Sequence, residues 1–466
     1  MKISIGKKLI NPYSLLVSVL FFLGAATIFF IYSIDISPLI FAFILIVYLN
    51  ISKRSETSPS AFDLCLLGAL GILLSILVTI TFKLTAYGIP AIAMAMLVTL
   101  LFDNLELSFL FSLFFLSMGT SIDGCNLNVG MSLFAAALTA SILSFRVQGR
   151  FQILKAGLVA GLVQCVVAIL IERVRGEQLF MPFPGADFSL LLFCLLSGLI
   201  SSIVVLGSLP VFEYIFKVVT NISLFELSGF NHPLLRRLIL EAPGTYQHSL
   251  VVGNLSEAAA QAIGANALLA RVGAYYHDIG KMVKPNYFVE NVIGYKDSHK
   301  DLKPSMSKII IMNHVKDGIE FARKYKLKPR IIDFISEHHG RTLVYYFYQR
   351  AKELEPEKEH EEDYRYAGPK PQSKETAIVA LADTIEALSR TLDEPTPSRI
   401  EEMVREVMKK RFLEGELDES TLTLKDLEKI TEKFTHILNA LFHTRVNYSK
   451  DEDRNNKSPK DKENKS

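Results

Sequence analysis

Cysteine is scarce and one-sided in this chain: Cys65, Cys125, Cys165 and Cys194 are all that 466 residues contain, and all lie in the first half. The second half has no thiol for a disulfide framework, which fits a reducing compartment. An excess of one charge sign is also lacking: 50 Lys and Arg against 48 Asp and Glu leave a formal net charge of +2. That balance offers no broad basic surface for phosphate backbones, so no nucleic-acid partner is expected. Charge of either sign is sparse in residues 1–210, which carry about twenty charged side chains against nearly eighty in the remaining 256. Alternating β-branched runs and hairpin signals are few in the polar half, and no solenoid-type repeat runs through it. An all-α fold is expected.

Apolar side chains fill the uncharged half. Mean hydropathy over the whole chain is +0.29, high for a soluble protein. Apolar runs fall at about 13–34, 36–51, 62–82, 87–102, 105–121, 129–145, 153–171 and 188–216. Most approach the roughly 20 residues that a helix needs to cross hydrocarbon, so the lipid bilayer is an expected partner. Eight spans are expected, with seven the alternative, because 36–51 is short and the two runs at 87–121 are parted only by Asp103-Asn104. The first run follows Lys7-Lys8 but is too long for a signal peptide and lacks a small-residue cleavage site; it reads as an uncleaved anchor. With the N-terminus inside, Lys7-Lys8, Lys53-Arg54 and Arg146/Arg150/Lys155 face the cytoplasm, as the positive-inside rule favours. Lys83 and Glu172–Arg175 face outward, against that rule. The polar half then also lies inside. Ionisable groups sit at span ends rather than mid-span, which argues for an anchor or sensor bundle over a transporter.

From about residue 221 the pattern becomes that of a helical domain. Thr245, after the break at Glu241–Gly244, is expected to cap a helix carrying His248. A helix over Ser256–Gly264 closes on its glycine, and Leu268–Tyr276 leads into His277-Asp278. Further helices are expected at Ser305–Tyr325, Lys328–His339, 375–392, 398–413 and 424–445. The charged, proline-punctuated stretch 352–374 reads as a surface insertion, and the tail from Ser449 as disordered.

Seven side chains of this domain are of the kinds that hold divalent transition metals: His248, His277-Asp278, His314, His338-His339 and Asp383. Seven ligands suffice for two ions, and two neighbouring ions can clamp the attacking and leaving oxygens of a phosphate ester. Metal-assisted phosphodiester hydrolysis is the expected chemistry. Each residue alone has a duller reading. A lone His-Asp is usually a surface pair or a cap, and His314 by itself would be a satisfied core histidine. Consecutive histidines point about 100° apart on a helix, so one ion takes both His338 and His339 only where the helix end distorts. Asp383 lies on an otherwise apolar helix face, where burial without a partner costs several kcal/mol. Together they point to one site. Lys281, close behind Asp278, is expected to neutralise a phosphate oxygen. His232 reads as structural, His299 and His360 as surface, and His436 and His443 as surface or core positions.

The order His, His-Asp, His, His-His, Asp resembles the HD-domain phosphohydrolase superfamily in its dinuclear form. The words Glu-Ala-Pro-Gly-Thr-Tyr-Gln-His-Ser (241–249), Ile-Gly-Ala-Asn (263–266) and Arg-Val-Gly-Ala-Tyr-Tyr-His-Asp-Ile-Gly-Lys (271–281) resemble the seven-transmembrane receptors with an intracellular HD hydrolase. So do Arg-Tyr-Ala-Gly-Pro-Lys-Pro-Gln-Ser-Lys-Glu (365–375) and Leu-Ala-Asp-Thr-Ile-Glu-Ala-Leu-Ser-Arg (381–390), and the similarity runs from about 36 to 448. The resemblance implies an anchor helix at 1–35, a seven-helix bundle at 36–220, a cytoplasmic hydrolase at 221–448 and a tail at 449–466. It implies a phosphodiesterase of the bacterial inner (cytoplasmic) membrane that linearises cyclic di-AMP to pApA. His248, His277, Asp278 and Asp383 would hold one metal and His314, His338 and His339 the second, with Asp278 bridging. Iron or manganese is the expected metal, and the ligand set alone permits zinc. Family members carry a large extracellular domain between the first helix and the bundle. Here the first span ends near Ile34 and the next begins near Ile36, so a conventional ectodomain is expected to be absent.

Other functions are weighed on the same residues. Hydrolases of cyclic di-GMP carry Gly-Tyr-Pro after the paired histidines, whereas Gly340-Arg-Thr-Leu follows here. A nucleotidase acting on dNTPs or a stringent-response nucleotide needs one metal, and His314 with His338-His339 would be superfluous to it. A receptor that binds nucleotide without turnover is disfavoured by the intact ligand set. A homodimer is left open.

Overall fold

A computed structural model of the chain describes residues 3–5, 8–10, 23–29, 31, 32, 38, 60–82, 85–122, 126–174, 186–292, 298–354 and 360–442. Two compact units emerge, one of residues 1–232 with 328–330 and the other of 233–327 with 331–466. Among the described residues the fold is all-α, apart from a two-stranded antiparallel pair of β1 (Ile3–Ile5) and β2 (Lys8–Ile10).

The first unit holds α1 (Ala61–Ile76), α2 (Ala91–Phe102), α3 (Leu105–Ile122), α4 (Leu127–Ser144), α5 (Arg150–Val174), α6 (Ala186–Phe216) and the short α7 (Asn221–Ser228). Ser60 starts α1 through a capping box with Asp63, and a π-helical stretch, Leu77–Thr81, extends it. α2 packs against α3, α4 and α6, and all its residues are buried, as expected of a helix that is apolar all round. Asp103, at a φ of 47°, turns the chain from α2 into α3. Buried hydroxyls are spent on their own helix: Thr99, Ser112 and Ser141 each donate to the carbonyl four residues back. Exposed leucines and valines recur one turn apart on α5, at Leu158, Leu162, Val166 and Leu170, the outward face a lipid surface accepts.

Among the described residues, five helices are long and apolar enough to cross a membrane, and the apolar stretch Ala86–Phe102 is shorter. Six of the eight expected runs coincide with α1–α6. The run at 13–34 is described only in part, with 23–29 helical, and the run at 36–51 lies outside the described residues except for Pro38.

The second unit contains α8 (Pro233–Glu241), α9 (Pro243–Ile263), α10 (Ala267–Tyr276), α11 (Pro304–Lys324), α12 (Pro329–Glu337), α13 (Tyr345–Leu354), α14 (Lys374–Ser389), α15 (Pro397–Leu413) and α16 (Leu424–Phe442). α9 packs against α10, α14 and α16. Val252 and Leu255 of α9, Val272 and Tyr276 of α10, Ile378, Leu381 and Ile385 of α14, and Phe434 of α16 are buried. Asn266, Ser373 and Thr396 cap α10, α14 and α15.

Three expectations need correction. Thr245 does not cap α9: Ala242 stands at the cap, Pro243 opens the helix, and the Thr245 hydroxyl donates to Glu290 instead. The third amide of the helix, which a side-chain cap would bind, is that of Thr245, and it donates to Asn291 Oδ1 at 3.0 Å instead. The stretch 352–374 is not a plain surface insertion, because Tyr364, Pro371 and Ser373 are buried within it. The helix α13 before it carries no sequence signal; four of its first turn's residues are aromatic, which are middling helix formers. His299 is half-buried rather than on the surface, its Nε2 beside the Tyr287 carbonyl and its ring against Phe347. His443 and the tail from Ser449 lie outside the described residues.

Candidate metal centre

Five segments converge. α9 carries His248, α14 carries Asp383, and α11 carries His314. His277 stands at the C-cap of α10, followed by Asp278 and a 3₁₀ turn over Ile279–Val283. α12 ends at Glu337, so His338 and His339 occupy the turn beyond it, with ring centroids 4.0 Å apart. This is the helix-end distortion that lets neighbouring histidines face one place.

Seven donors form two quartets, His248/His277/Asp278/Asp383 and Asp278/His314/His338/His339, with the ligand atoms of each within 4.8 Å of one another. Asp278 belongs to both, and it turns a different oxygen to each. Its Oδ2 lies 3.3 Å from His277 Nε2 and 3.7 Å from His248 Nε2. Its Oδ1 lies 3.3 Å from His314 Nε2 and 3.6 Å from His338 Nε2. Asp383 faces the first quartet, with Oδ1 3.0 Å from His248 Nε2 and 3.7 Å from His277 Nε2. Its Oδ2 reaches toward His339 Nδ1 at 3.8 Å.

The imidazoles are oriented from behind. Nδ1 of His277 donates to the Ala274 carbonyl at 2.6 Å, that of His314 to Ile311 at 2.5 Å, and that of His338 to Ile335 at 3.0 Å. Nδ1 of His248 meets Glu386 Oε2 at 2.5 Å. With these Nδ1 atoms committed as donors, each ring in its neutral form has its Nε2 lone pair turned to the centre. His314 Nε2 and His338 Nε2 then stand 3.2 Å apart, an approach that a shared proton or a cation between them makes favourable. His277 Nε2 and both oxygens of Asp278 are buried without a hydrogen bond, although Lys281 Nζ ion-pairs with Oδ2 at 2.7 Å. The donor set and its orphaned atoms fit divalent metal.

Electrostatics differ between the quartets. Burial, then repulsion from His277, pushes His338 down to about 3, and burial likewise lowers His314 and His339. These shifts favour the neutral form that ligates a metal. Burial would also lower His277 and His248, but the carboxylates outweigh it and lift His277 to about 10. Burial would raise Asp278 and Asp383; Lys281 and His277 beside the first, and His248 and His277 beside the second, hold both well below the usual carboxylate range.

All seven expected ligands are brought together, and His232, His299, His360 and His436 stand outside both quartets. Lys281, expected on a phosphate oxygen, is held between Asp278 and Glu290 at 2.7 and 2.9 Å. Sequence reasoning missed Glu386, Glu290 and Tyr366. Glu386 was within reach, because three residues after Asp383 on one helix it shares that face. Tyr366, whose ring stacks on His339 at 4.2 Å, gave no local signal. Glu386 also binds Arg390, at 2.5 Å, and so anchors His248 to a fixed charge. Glu386→Gln is expected to weaken Mn²⁺ binding roughly 10- to 100-fold, measured by calorimetry on the full chain in detergent. An unchanged affinity would remove Glu386 from this role.

Residues 28–220 match the family described as 7TM receptor with intracellular HD hydrolase, and residues 245–388 match the HD domain family. The chain is similar to the cyclic-di-AMP phosphodiesterase PgpH of Bacillus subtilis (strain 168), 40% identical over 324 residues, 69% of this chain and 45% of that protein. It is likewise similar to the protein of that name in Listeria monocytogenes serotype 1/2a, 41% identical over 304 residues, 65% of this chain and 42% of the relative. The matches thus span under half of either relative's length. A crystal structure of the L. monocytogenes PgpH HD domain in complex with cyclic-di-AMP is 46% identical, covering 47% of this chain and all of that one, with a TM-score of 0.44. Membrane helices followed by an HD domain, in that order, make this chain a member of the seven-transmembrane receptor family with an intracellular HD hydrolase, whose HD domain binds divalent metal.

Proposed function

We propose that this chain is a membrane-anchored, two-metal phosphodiesterase that opens cyclic di-AMP to pApA, with iron or manganese in the two quartets. The observation that carries the reading is the shared carboxylate: Asp278 turns one oxygen to each quartet. The curated relatives whose names specify cyclic di-AMP supply the substrate. A single-metal nucleotidase would leave His314, His338 and His339 gathered around Asp278 without use.

Bound there, the ions supply Lewis acidity toward the phosphoryl group and the attacking water. The chain's own residues do the rest. His248, His277 and Asp383 on one side and His314, His338 and His339 on the other define two positions around Asp278. Glu386 and the Ala274, Ile311 and Ile335 carbonyls keep the rings from turning. Lys281 fixes a positive charge beside the shared carboxylate and is itself held by Glu290. In the overall reaction one P–O3′ bond breaks, water's oxygen stays on phosphorus, and a proton goes to the ribose oxygen. One opening yields pApA; a second would yield AMP. The HD domain and the N-terminus lie on the cytoplasmic side of a bacterial inner membrane, as the positive-inside pattern favours.

Full chain in detergent, given Mn²⁺ and cyclic di-AMP, is expected to release pApA as the main product on chromatography. EDTA should stop the reaction and excess Mn²⁺ restore it, because a chelator removes what the quartets hold. Faster loss of cyclic di-GMP or a dNTP would overturn the substrate, and one ion per chain by elemental analysis would overturn the two-metal reading.

A further inference from the structure

Lys281 does not stand alone behind the metal centre. Glu290, on the short 3₁₀ turn Val289–Asn291, reaches it from a different part of the chain. The ammonium sits 2.7 Å from Asp278 Oδ2 and 2.9 Å from Glu290 Oε1, with the Phe288 ring 5.1 Å away. Both the Lys281 and the Glu290 side chains are 14% exposed, so solvent screens this charge pair weakly.

Glu290 is itself held in place. The Thr245 hydroxyl donates to Glu290 Oε1 at 3.0 Å and accepts from Asn291 Nδ2 at 2.8 Å. The Thr245 backbone N–H donates to Asn291 Oδ1 at 3.0 Å. A Cβ on Gly244 would lie 1.8 Å from the Glu290 carbonyl oxygen, so only glycine lets the start of α9 approach this turn. The helix that carries His248 therefore also clamps Glu290 against Lys281. Two ligand-bearing elements, α9 and the His277-Asp278 turn, are tied through this bridge.

We propose that Glu290 is a positioning residue that draws the Lys281 ammonium off Asp278 Oδ2 and thereby sets metal affinity in the quartet of His248, His277, Asp278 and Asp383. This rests on the two-metal reading above. Oδ2 faces that quartet, and Lys281 and a divalent ion compete for the same oxygen. Glu290 shares the ammonium, so that less of its charge falls on Oδ2. Without it the full positive charge of Lys281 falls on Oδ2 and opposes the ion. The other quartet uses Oδ1, on the far side of the carboxylate, and is affected less.

Calorimetric titration of the metal-free full chain in detergent with Mn²⁺ tests this. Wild type is expected to bind two ions, and Glu290→Gln to weaken one of them roughly 10- to 100-fold while the other shifts less. In a Lys281→Met background the same Glu290→Gln change should move neither affinity more than about twofold, since the effect acts through the ammonium. Thr245→Val, which loses only the hydroxyl, should reproduce a smaller part of the loss. Circular dichroism and thermal melting check that each variant is folded. Two unchanged affinities in Glu290→Gln overturn the proposal, and so does an equal loss in the Lys281→Met background, which would mark a merely structural role. Fewer than two ions in wild type would overturn the two-metal reading and this assignment with it.

Discussion

Asp278→Asn is expected to lower cyclic di-AMP hydrolysis by roughly 10⁴-fold or more, the scale of losing a group on which a catalytic unit depends. At 1.36 kcal/mol per factor of ten, that is about 5.5 kcal/mol of transition-state stabilisation. The reason is topological. Each of the other six ligands serves one quartet, whereas Asp278 serves both. Asparagine keeps the shape and removes the charge, leaving Asp383 as the remaining carboxylate ligand near Lys281 and two divalent ions. Elemental analysis should show metal content falling for both quartets together. His339→Ala, by contrast, touches only the quartet of His314 and His338 and should cost one ion. An Asp278→Asn chain that still held two ions, or kept a tenth of its activity, would refute the shared role.

Gly280→Ala is expected to be the most damaging single methyl in the hydrolase unit. A Cβ there would lie 1.8 Å from the His314 carbonyl oxygen and 2.5 Å from the Gly318 nitrogen, both backbone atoms of α11. No rotamer relieves a clash with backbone, so α11 and the turn must part. Overpacking commonly costs about 1–3 kcal/mol, and this contact belongs at the upper end or beyond. Moving α11 also carries His314 away from Asp278 Oδ1, now 3.3 Å from its Nε2. Thermal melting should fall markedly, and folded variant should bind Mn²⁺ with one weakened site. Gly207→Ala, where nothing lies within 4 Å of the added atom, is the control and should leave stability nearly unchanged. Equal stability of Gly280→Ala and wild type would mean that the turn and α11 do not meet so closely.

Much of the site is legible in the amino-acid sequence. Imidazole and carboxylate are the chemistry of metal ligation, and Asp383 on an apolar helix face already demands a cation. His338-His339 is awkward on paper because a helix separates consecutive side chains; the chain answers by ending α12 at Glu337. What stays hidden is what lies behind the ligands. Glu290 and Thr245 are 45 residues apart, and no local pattern announces that they meet. Tyr366 sits within the stretch 352–374 that reads as solvent-facing, because charged neighbours mask one aromatic packed on His339. Lys281 reads as free for phosphate for the same reason: its partner Glu290 is nine residues away across a turn.

The amino-acid sequence alone determined the apolar membrane half, the helical polar half and the seven candidate ligands. These follow from properties each residue keeps in any context: hydropathy, helix spacing and the donor atoms of a side chain. Only the tertiary structure decided that Asp278 offers a different oxygen to each quartet, that four Nδ1 atoms are committed as donors, and that Lys281 is shared with Glu290. Those are matters of orientation and approach between segments distant in the chain, set by backbone contacts such as Gly280 against α11, and no single residue carries them.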